Sequence, residues 1–287
     1  MRSSTTLVWA LGATLAMARP THKTTTATKA TATVWQPAAG SQLQMILSKT
    51  IDTSKSLVPD VGIFDVDLFD TSSTIIAALK AKNKKVICYF SAGSYEPNRS
   101  DSSDFTSSDL GKVMDGWPDE KWLDIRTANV KSIMAKRIQL AADKGCDGID
   151  PDNVDGFAND SGFSLKASDA TTFVKYLATT AKSKNLAIGL KNALAIIPDV
   201  VDSIQFAVNE QCHEYDECDV YSDLTNQGKP VFNVEYPDSA PKVSTSDRTK
   251  FCAAYDGVTL STTLKTLDLD GWVEFCDGTT ATTSTLS

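Results

Sequence analysis

Histidine is nearly missing from this chain: there are two in 287 residues, His22 and His213. A Ser-His-Asp hydrolase needs an imidazole base, and a zinc-centred barrel hydrolase needs several imidazole ligands. His22 lies in a Thr-rich stretch and His213 directly follows Cys212, so neither chemistry is supported and no metal is expected. No apolar run approaches the ~18 residues of a membrane span. No glycine-rich phosphate loop follows any strand-like segment, which argues against an open nucleotide-binding sheet. Basic residues are in deficit too, 28 Lys and Arg against 36 Asp and Glu, for a net charge of −8 and a pI near 4.8. That balance argues against nucleic acid and suits a neutral or cationic partner.

The first 18 residues carry Arg2, a short apolar run from Leu7, and Ala16-Met17-Ala18 at the end, the pattern of a signal peptide. Its removal takes the charge from −8 to −9, because Arg2 leaves with it. Residues 19–34 are rich in Thr and Ala without apolar periodicity. They read as a disordered, O-glycosylated stalk, and the folded domain is expected over 35–287. The mature protein is therefore expected to be secreted and extracellular. In an exported chain the six cysteines invite disulfides. Cys212 and Cys218 share a polar loop, and Cys252 and Cys276 flank the C-terminal segment; each couple is read as a bridge. Cys88 and Cys146 sit in or beside apolar strand sequence and read as buried free thiols.

From Trp35 on, strand-like and helix-like segments alternate, as in a parallel α/β architecture. Strands are expected at Leu43–Leu47, Val61–Leu68, Lys85–Ser91, Gly148–Asp152, Leu186–Lys191, Gln205–Asn209 and Val231–Glu235, with an eighth near Val258–Thr262. Helical periodicity covers Thr127–Lys144, with Val130, Ile133, Met134, Ile138 and Ala141 on one face, and a second helix is expected after Ser168 as N-cap. Seven or eight such units imply a single-domain (β/α)8 TIM-type barrel.

In such barrels the reacting groups sit at the carboxyl ends of the strands. Six expected strand ends are polar: Asp65 and Asp67, Tyr89 and Ser91, Asp150 and Asp152, Lys191 and Asn192, Asn209 and Glu210, and Glu235 and Tyr236. Acids at such positions can also cap the following helices, but six polar ends exceed what capping requires. Asp150 and Asp152 are two residues apart, on one face of a strand. Crowded carboxylates raise one another's pKa, as general acid/base work requires. Two strand-end acids make a glycosidase pair the leading reading. A run of Ser94 to Arg126 separates the third strand from its helix and holds Tyr95, Trp117, Trp122 and Asp124. Its tryptophans either stack on sugar or pin the loop to the barrel.

Asp150-Pro-Asp152-Asn153-Val154-Asp155-Gly156 does not place its glycine where a calcium loop needs it. Asp147-Gly-Ile-Asp150-Pro-Asp152 resembles the chitinase strand motif of glycoside hydrolase family 18. The Glu acid of that family would fall on Val154, so this alternative leaves a non-catalytic, chitinase-like carbohydrate-binding barrel. The longer match is to glycoside hydrolase family 114, the endo-α-1,4-polygalactosaminidases, of which the chain resembles a fungal member. The resembling segments are Asp65-Val-Asp67-Leu-Phe-Asp70, Lys85 to Tyr95, Gly116 to Arg126, Gly145 to Asn153, Gly189-Leu-Lys-Asn192, Asn209-Glu-Gln-Cys212 and Val234-Glu-Tyr236.

The resemblance implies a barrel that cuts within α-1,4-linked galactosamine polymers such as galactosaminogalactan, without a cofactor. Its acid pair falls on Asp152, the expected nucleophile, and Glu210, the expected acid/base. The other strand-end residues, with Asn153 and Asp124, would line sugar subsites. The expected partner is the cationic polysaccharide and the expected state a monomer. Two departures stand out. The family's first strand, Trp-Gln-Ile-Gln-Leu-Ser-Gly, is Leu43-Gln-Met-Ile46-Leu-Ser-Lys49 here, and its Lys-Asn-Asp is Lys191-Asn192-Ala193. They are expected to remove an aromatic, an amide and an acid from near the mouth. Ends of the fourth and sixth strands stand about 10 Å apart at ~4.8 Å per strand. Inward-leaning side chains shorten that gap, which favours a retaining mechanism.

Overall fold

The computed structural model describes residues 33–286 together with Met1. The expected signal peptide and the stalk up to residue 32 lie outside the described residues. From Thr33 onward the chain forms one compact unit. Its strands and principal helices run β1 (Leu43–Ile46), β2 (Ile63–Asp67), α1 (Ser73–Ala81), β3 (Lys85–Ser91), β4 (Ser94–Tyr95), β5 (Leu110–Met114), β6 (Trp117–Leu123) and α2 (Ala128–Lys144). They continue with β7 (Gly148–Asp152), α3 (Ala167–Ser183), β8 (Ala187–Lys191), α4 (Ile197–Val200), β9 (Phe206–Glu210), α5 (Ser222–Thr225), β10 (Val231–Glu235), α6 (Thr245–Phe251), β11 (Leu260–Leu264), β12 (Trp272–Phe275) and β13 (Thr280–Thr282).

Eight strands, in the order β1-β2-β3-β7-β8-β9-β10-β11, pair in parallel. The sheet curls until its ends meet. Gln44 of β1 donates to the Gly271 carbonyl at 2.9 Å, and the Leu47 N–H to the Leu269 carbonyl at 2.9 Å. This is the expected (β/α)8 barrel, with β12 and β13 added antiparallel at one end. The helical layer is uneven: α2 and α3 have 17 residues each, whereas α4 and α5 are single turns.

Alternation along the strands divides the core. Leu43, Met45, Ile63, Ile87, Ala187, Phe206, Val208, Phe232 and Val234 fill the barrel interior. Residues one step out of phase, such as Phe64, Val86, Ile149, Leu190 and Ala207, pack in the larger cluster under the helices. Gly189 is an inner position, and a Cβ there would come within 2.3 Å of the Phe206 ring, so the missing side chain is what admits the ring.

Three expectations are corrected by the fold. Ser168 is not an N-cap: α3 begins at Ala167, and the Asp169 carboxylate accepts the Lys166 N–H at 2.9 Å. Residues 94–123 carry a three-stranded antiparallel sheet, β4-β6-β5, in place of a loop. Trp122 is buried beneath it (6% exposed) and pins it to the barrel, whereas Trp117 at the hairpin tip is 60% exposed. Finally, Cys88 and Cys146 are not free thiols but form a disulfide, alongside Cys212–Cys218 and Cys252–Cys276. The β3–β7 register sets Cys88 opposite Ile149, which brings Cys146 just upstream to a Cα–Cα distance of 6.1 Å.

This bridge spans 58 residues, for which loop closure predicts a contribution of up to about 4 kcal/mol. The double variant Cys88→Ala/Cys146→Ala is expected to unfold at markedly lower guanidinium concentration, with a larger m-value because the uncrosslinked unfolded chain exposes more surface. An unmoved midpoint would show that the bridge does not stabilise the fold.

Candidate active site

Strands β7, β8 and β9 end in Asp152, Lys191 and Glu210, each in phase with inner positions. Directly after them the chain enters the left-handed region: Asn153 at φ 61°, Asn192 at φ 47° and Gln211 at φ 67°. Asparagine tolerates that conformation better than most residues. The abrupt turn carries the backbone away and leaves the strand-end side chains facing the barrel mouth. Gly93 permits the closest approach, since a Cβ there would fall 1.7 Å from the Asn153 carbonyl oxygen. The Ala92 and Gly93 N–H groups both donate to the Asp152 carbonyl, at 2.8 and 3.0 Å.

Lys191 is the hub of the site. Its side chain is 2% exposed, and its Nζ lies 3.2 Å from Asp152 Oδ2 and 3.1 Å from Glu210 Oε2. Burial works against the ammonium, but the carboxylates of Asp152, Glu210 and Asp150 outweigh it and hold the Lys191 pKa well above the ordinary value. For Glu210, burial is opposed by Lys191 and by the Tyr236 hydroxyl, and the net pKa falls below the usual carboxylate value. Asn192 clamps the same residue: its Oδ1 accepts the Glu210 N–H at 2.9 Å and its Nδ2 donates to Oε2 at 3.3 Å. Tyr236 donates to Glu210 Oε1, and Tyr89 donates to Asp152 Oδ2 at 3.0 Å. Burial first, then the neighbouring carboxylate, pushes both phenols well up in pKa, so both remain donors. The Asn153 N–H completes the set at 2.7 Å from Asp152 Oδ1.

Beneath Asp152 lie Asp150 and Asp65, both fully buried. None of their four carboxylate oxygens has a hydrogen-bond donor among the described residues. Burial, followed for Asp65 by the charge of Asp150, raises both pKa values. Two buried acids without donors cannot both be ionised, and a shared proton satisfies them.

Above these residues opens a cleft of about 820 Å³, within the range of ligand sites. It is lined by nine carboxylates and three cations: Arg99, Lys112 and Lys191. Each cation is already paired, Arg99 with Asp67 and Glu96, Lys112 with Asp160, and Lys191 as above. The cleft therefore presents excess negative charge. Glu120 is held by Ser94 Oγ at 2.6 Å, and burial raises its pKa. Sequence reasoning missed Glu96, Arg99, Glu120, Asp155 and Asn159. They sit on the inserted sheet and on loops after strands, where no periodicity marks them.

Of the expected subsite residues, Asp67, Tyr89, Asn153, Lys191 and Asn192 line this cleft, and Tyr236 reaches it through Glu210. Asp67 is already occupied, accepting the Phe69 and Asp70 N–H groups and Arg99. Ser91 is buried under Asn153 and bonded to Ser94, and so braces the floor. Three others lie elsewhere. Asn209 and Glu235 are out of phase with the inner positions and turn outward. Asn209 bonds Tyr221 Oη and the Cys212 N–H, and Glu235 bonds the His213 N–H and Asn233. Asp124 accepts the Arg126 N–H and guanidinium, a local staple before α2. Cys212, His213 and Cys218 cluster at metal-like spacing, but both thiols are consumed in the disulfide.

A search of curated proteins found no match. Among solved structures, the chain is similar to Aspergillus fumigatus Ega3 in complex with galactosamine. The identity is 46% over 85% of this chain and 98% of that one, with a TM-score of 0.81. The glycoside hydrolase domain of PelA from Pseudomonas aeruginosa shares the fold at 12% identity, with a TM-score of 0.64 over 79% and 95% of the two chains. The model of glycoside-hydrolase family GH114 matches residues 24–281. The chain belongs to family GH114. As a GH114 glycoside hydrolase it departs from its family less at the mouth than the sequence suggests. Leu43 packs inside the barrel at the start of β1, and Ile46 faces the helical layer; neither lines the cleft. Ala193 follows β8 at φ 51°, a left-handed conformation that is uncommon for alanine.

Proposed function

We propose that this GH114 enzyme is secreted, acts as a monomer, and cuts within α-1,4-linked galactosamine polymers by a retaining two-carboxylate mechanism. The supporting observation is Lys191 bridging Asp152 and Glu210 on the floor of an acidic cleft. Similarity to Ega3, whose structure holds galactosamine, supports the sugar. Three disulfides fit an oxidising compartment. Among the described residues no helix is long and apolar enough to cross a membrane. No step requires a cofactor. The chitinase-like binding alternative loses its motive, because the chain belongs to family GH114 and Glu210 at the end of β9 offers a carboxylate where Val154 has none.

Asp152 attacks the anomeric carbon while Glu210 protonates the departing glycosidic oxygen, and a glycosyl ester with inverted configuration forms. Glu210 then takes a proton from water, which attacks the ester and restores the α configuration. Tyr89 and the Asn153 N–H hold the nucleophile in line; Asn192 and Tyr236 fix the acid/base. The two Lys191 contacts share one nitrogen. The bonded oxygens therefore stand no more than about 6.3 Å apart, the two contacts laid end to end, which is short of the ~6.5 Å that admits a water and favours retention. Proton NMR of the first-formed product is expected to show the α-anomer. An initial β-anomer would refute retention.

The excess of carboxylates selects free amines. De-acetylated polymer is expected to be cut at least about tenfold faster than fully N-acetylated polymer at low salt. The difference should narrow as ionic strength shortens the Debye length towards ~8 Å. Equal rates on the two polymers would rule out electrostatic selection.

A further inference from the structure

Beside the catalytic cleft runs a second groove, of about 370 Å³, which shares Glu96, Arg99, Trp117 and Glu120 with it and adds Asp70, Pro97 and Asp119 among others. The two adjoin along these four shared residues, Trp117 among them. Trp117 pairs with Met114 at the turn of the β5–β6 hairpin, and Gly116 makes that turn at φ 78°. A large aromatic with 60% of its surface in water is held out by the hairpin when it could have been folded under it, as Trp122 is. Exposed aromatic surface of this kind has a use when it covers the C–H face of a sugar ring. The groove's charge is as selective as the cleft's. Asp70, Glu96, Asp119 and Glu120 face one cation, Arg99, which is held by Asp67, Glu96 and Asp70.

We propose that this groove is a distal subsite of the catalytic cleft, taking one more hexosamine unit of the polymer with its ring on Trp117 and its ammonium towards Asp119 and Asp70. The inference rests on the polygalactosamine reading above and adds to it that recognition continues past the hairpin tip. An endo-acting enzyme gains from such a site, because binding far from the scissile bond holds a long chain across the catalytic pair.

The experiment compares Trp117→Ala and Asp119→Asn with the parent on galactosamine oligomers of increasing, defined length. All proteins carry Asn98→Gln, so that no glycan at the Asn98-Arg99-Ser100 sequence covers the groove. Both positions are exposed, and an unchanged unfolding midpoint checks the fold. The expected result is length-dependent. On the shortest oligomers cleaved, kcat/KM of Asp119→Asn matches the parent; beyond a threshold length the parent's kcat/KM rises while that of Trp117→Ala does not rise with it, so that the gap between the two widens about tenfold with length. Asp119→Asn is expected to show a smaller loss on long chains that disappears at high salt. Equal rates for parent and variants at every length, or one uniform loss at every length, would overturn the subsite while leaving the functional reading intact. A parent that cuts no galactosamine oligomer would overturn both.

Discussion

Asp152→Asn and Glu210→Gln are each expected to lower kcat on polygalactosamine by ~10³-fold or more, with little change in unfolding midpoint. Each substitution keeps side-chain volume and replaces a charge or proton that no neighbour can supply. Tyr89 and Tyr236 are locked as donors to the two carboxylates, and Asp150 is sealed beneath the floor. The two variants should separate by step. With an aryl galactosaminide whose leaving group needs no protonation, Glu210→Gln should still form the glycosyl ester and release a burst of phenol. Asp152→Asn should show none. Added azide should give the α-azide from the Glu210 variant and the β-azide from the Asp152 variant, because it replaces water in one and the nucleophile in the other. A folded variant of either kind with near-normal turnover would dismiss the pair.

The barrel was readable because its strands are short apolar runs at regular spacing. Seven were placed within two residues of their observed ends, and Lys85–Ser91, Gly148–Asp152 and Val231–Glu235 coincide with the structure. The eighth, β11, lies two residues later than expected, its polar Leu-Ser-Thr-Thr-Leu sequence offering little contrast. The inserted sheet escaped notice for a related reason. β4 has two residues, and β6 opens Trp-Pro-Asp-Glu, which carries no strand alternation.

Two of the errors at the site, Asn209 and Glu235, have one cause, and it was available in the sequence. Phe206, Val208 and Glu210 share a phase, as do Phe232, Val234 and Tyr236. Asn209 and Glu235 lie one step off, so period two alone sends them outward. Taking every polar residue at a strand end as a ligand ignored that rule. What the sequence could not show was Lys191 between the two acids, or Asp65 meeting Asp150 below. Those contacts depend on closing the barrel, which brings side chains from β2, β7, β8 and β9 over one floor. The Cys88–Cys146 bridge depends likewise on the β3–β7 pairing, across an insertion that separates its cysteines by 58 residues.

Lys191→Met is expected to move the pH profile as well as lower the rate. In the folded protein burial alone would raise Glu210; Lys191 is the first of the groups that reverse this, ahead of Tyr236 and Asn192. A general acid works only in its protonated form, so a Glu210 held below the usual carboxylate value gives kcat/KM that declines as pH rises through that lowered pKa. The native enzyme should therefore work best at acid pH. With methionine at 191 the opposing charge is gone while the burial stays, so the Glu210 pKa rises and the alkaline limb shifts to higher pH, by about one unit or more. The peak rate should fall by ~10²-fold at the same time, because Asp152 loses the ammonium 3.2 Å from its carboxylate and two half-buried acids are left without their counter-ion. Lys191→Arg keeps the charge and is expected to hold the limb near its native position at reduced rate. If the profile of Lys191→Met superimposes on the native curve after scaling, Lys191 does not set the protonation of the acid, and its place between Asp152 and Glu210 is one of packing alone.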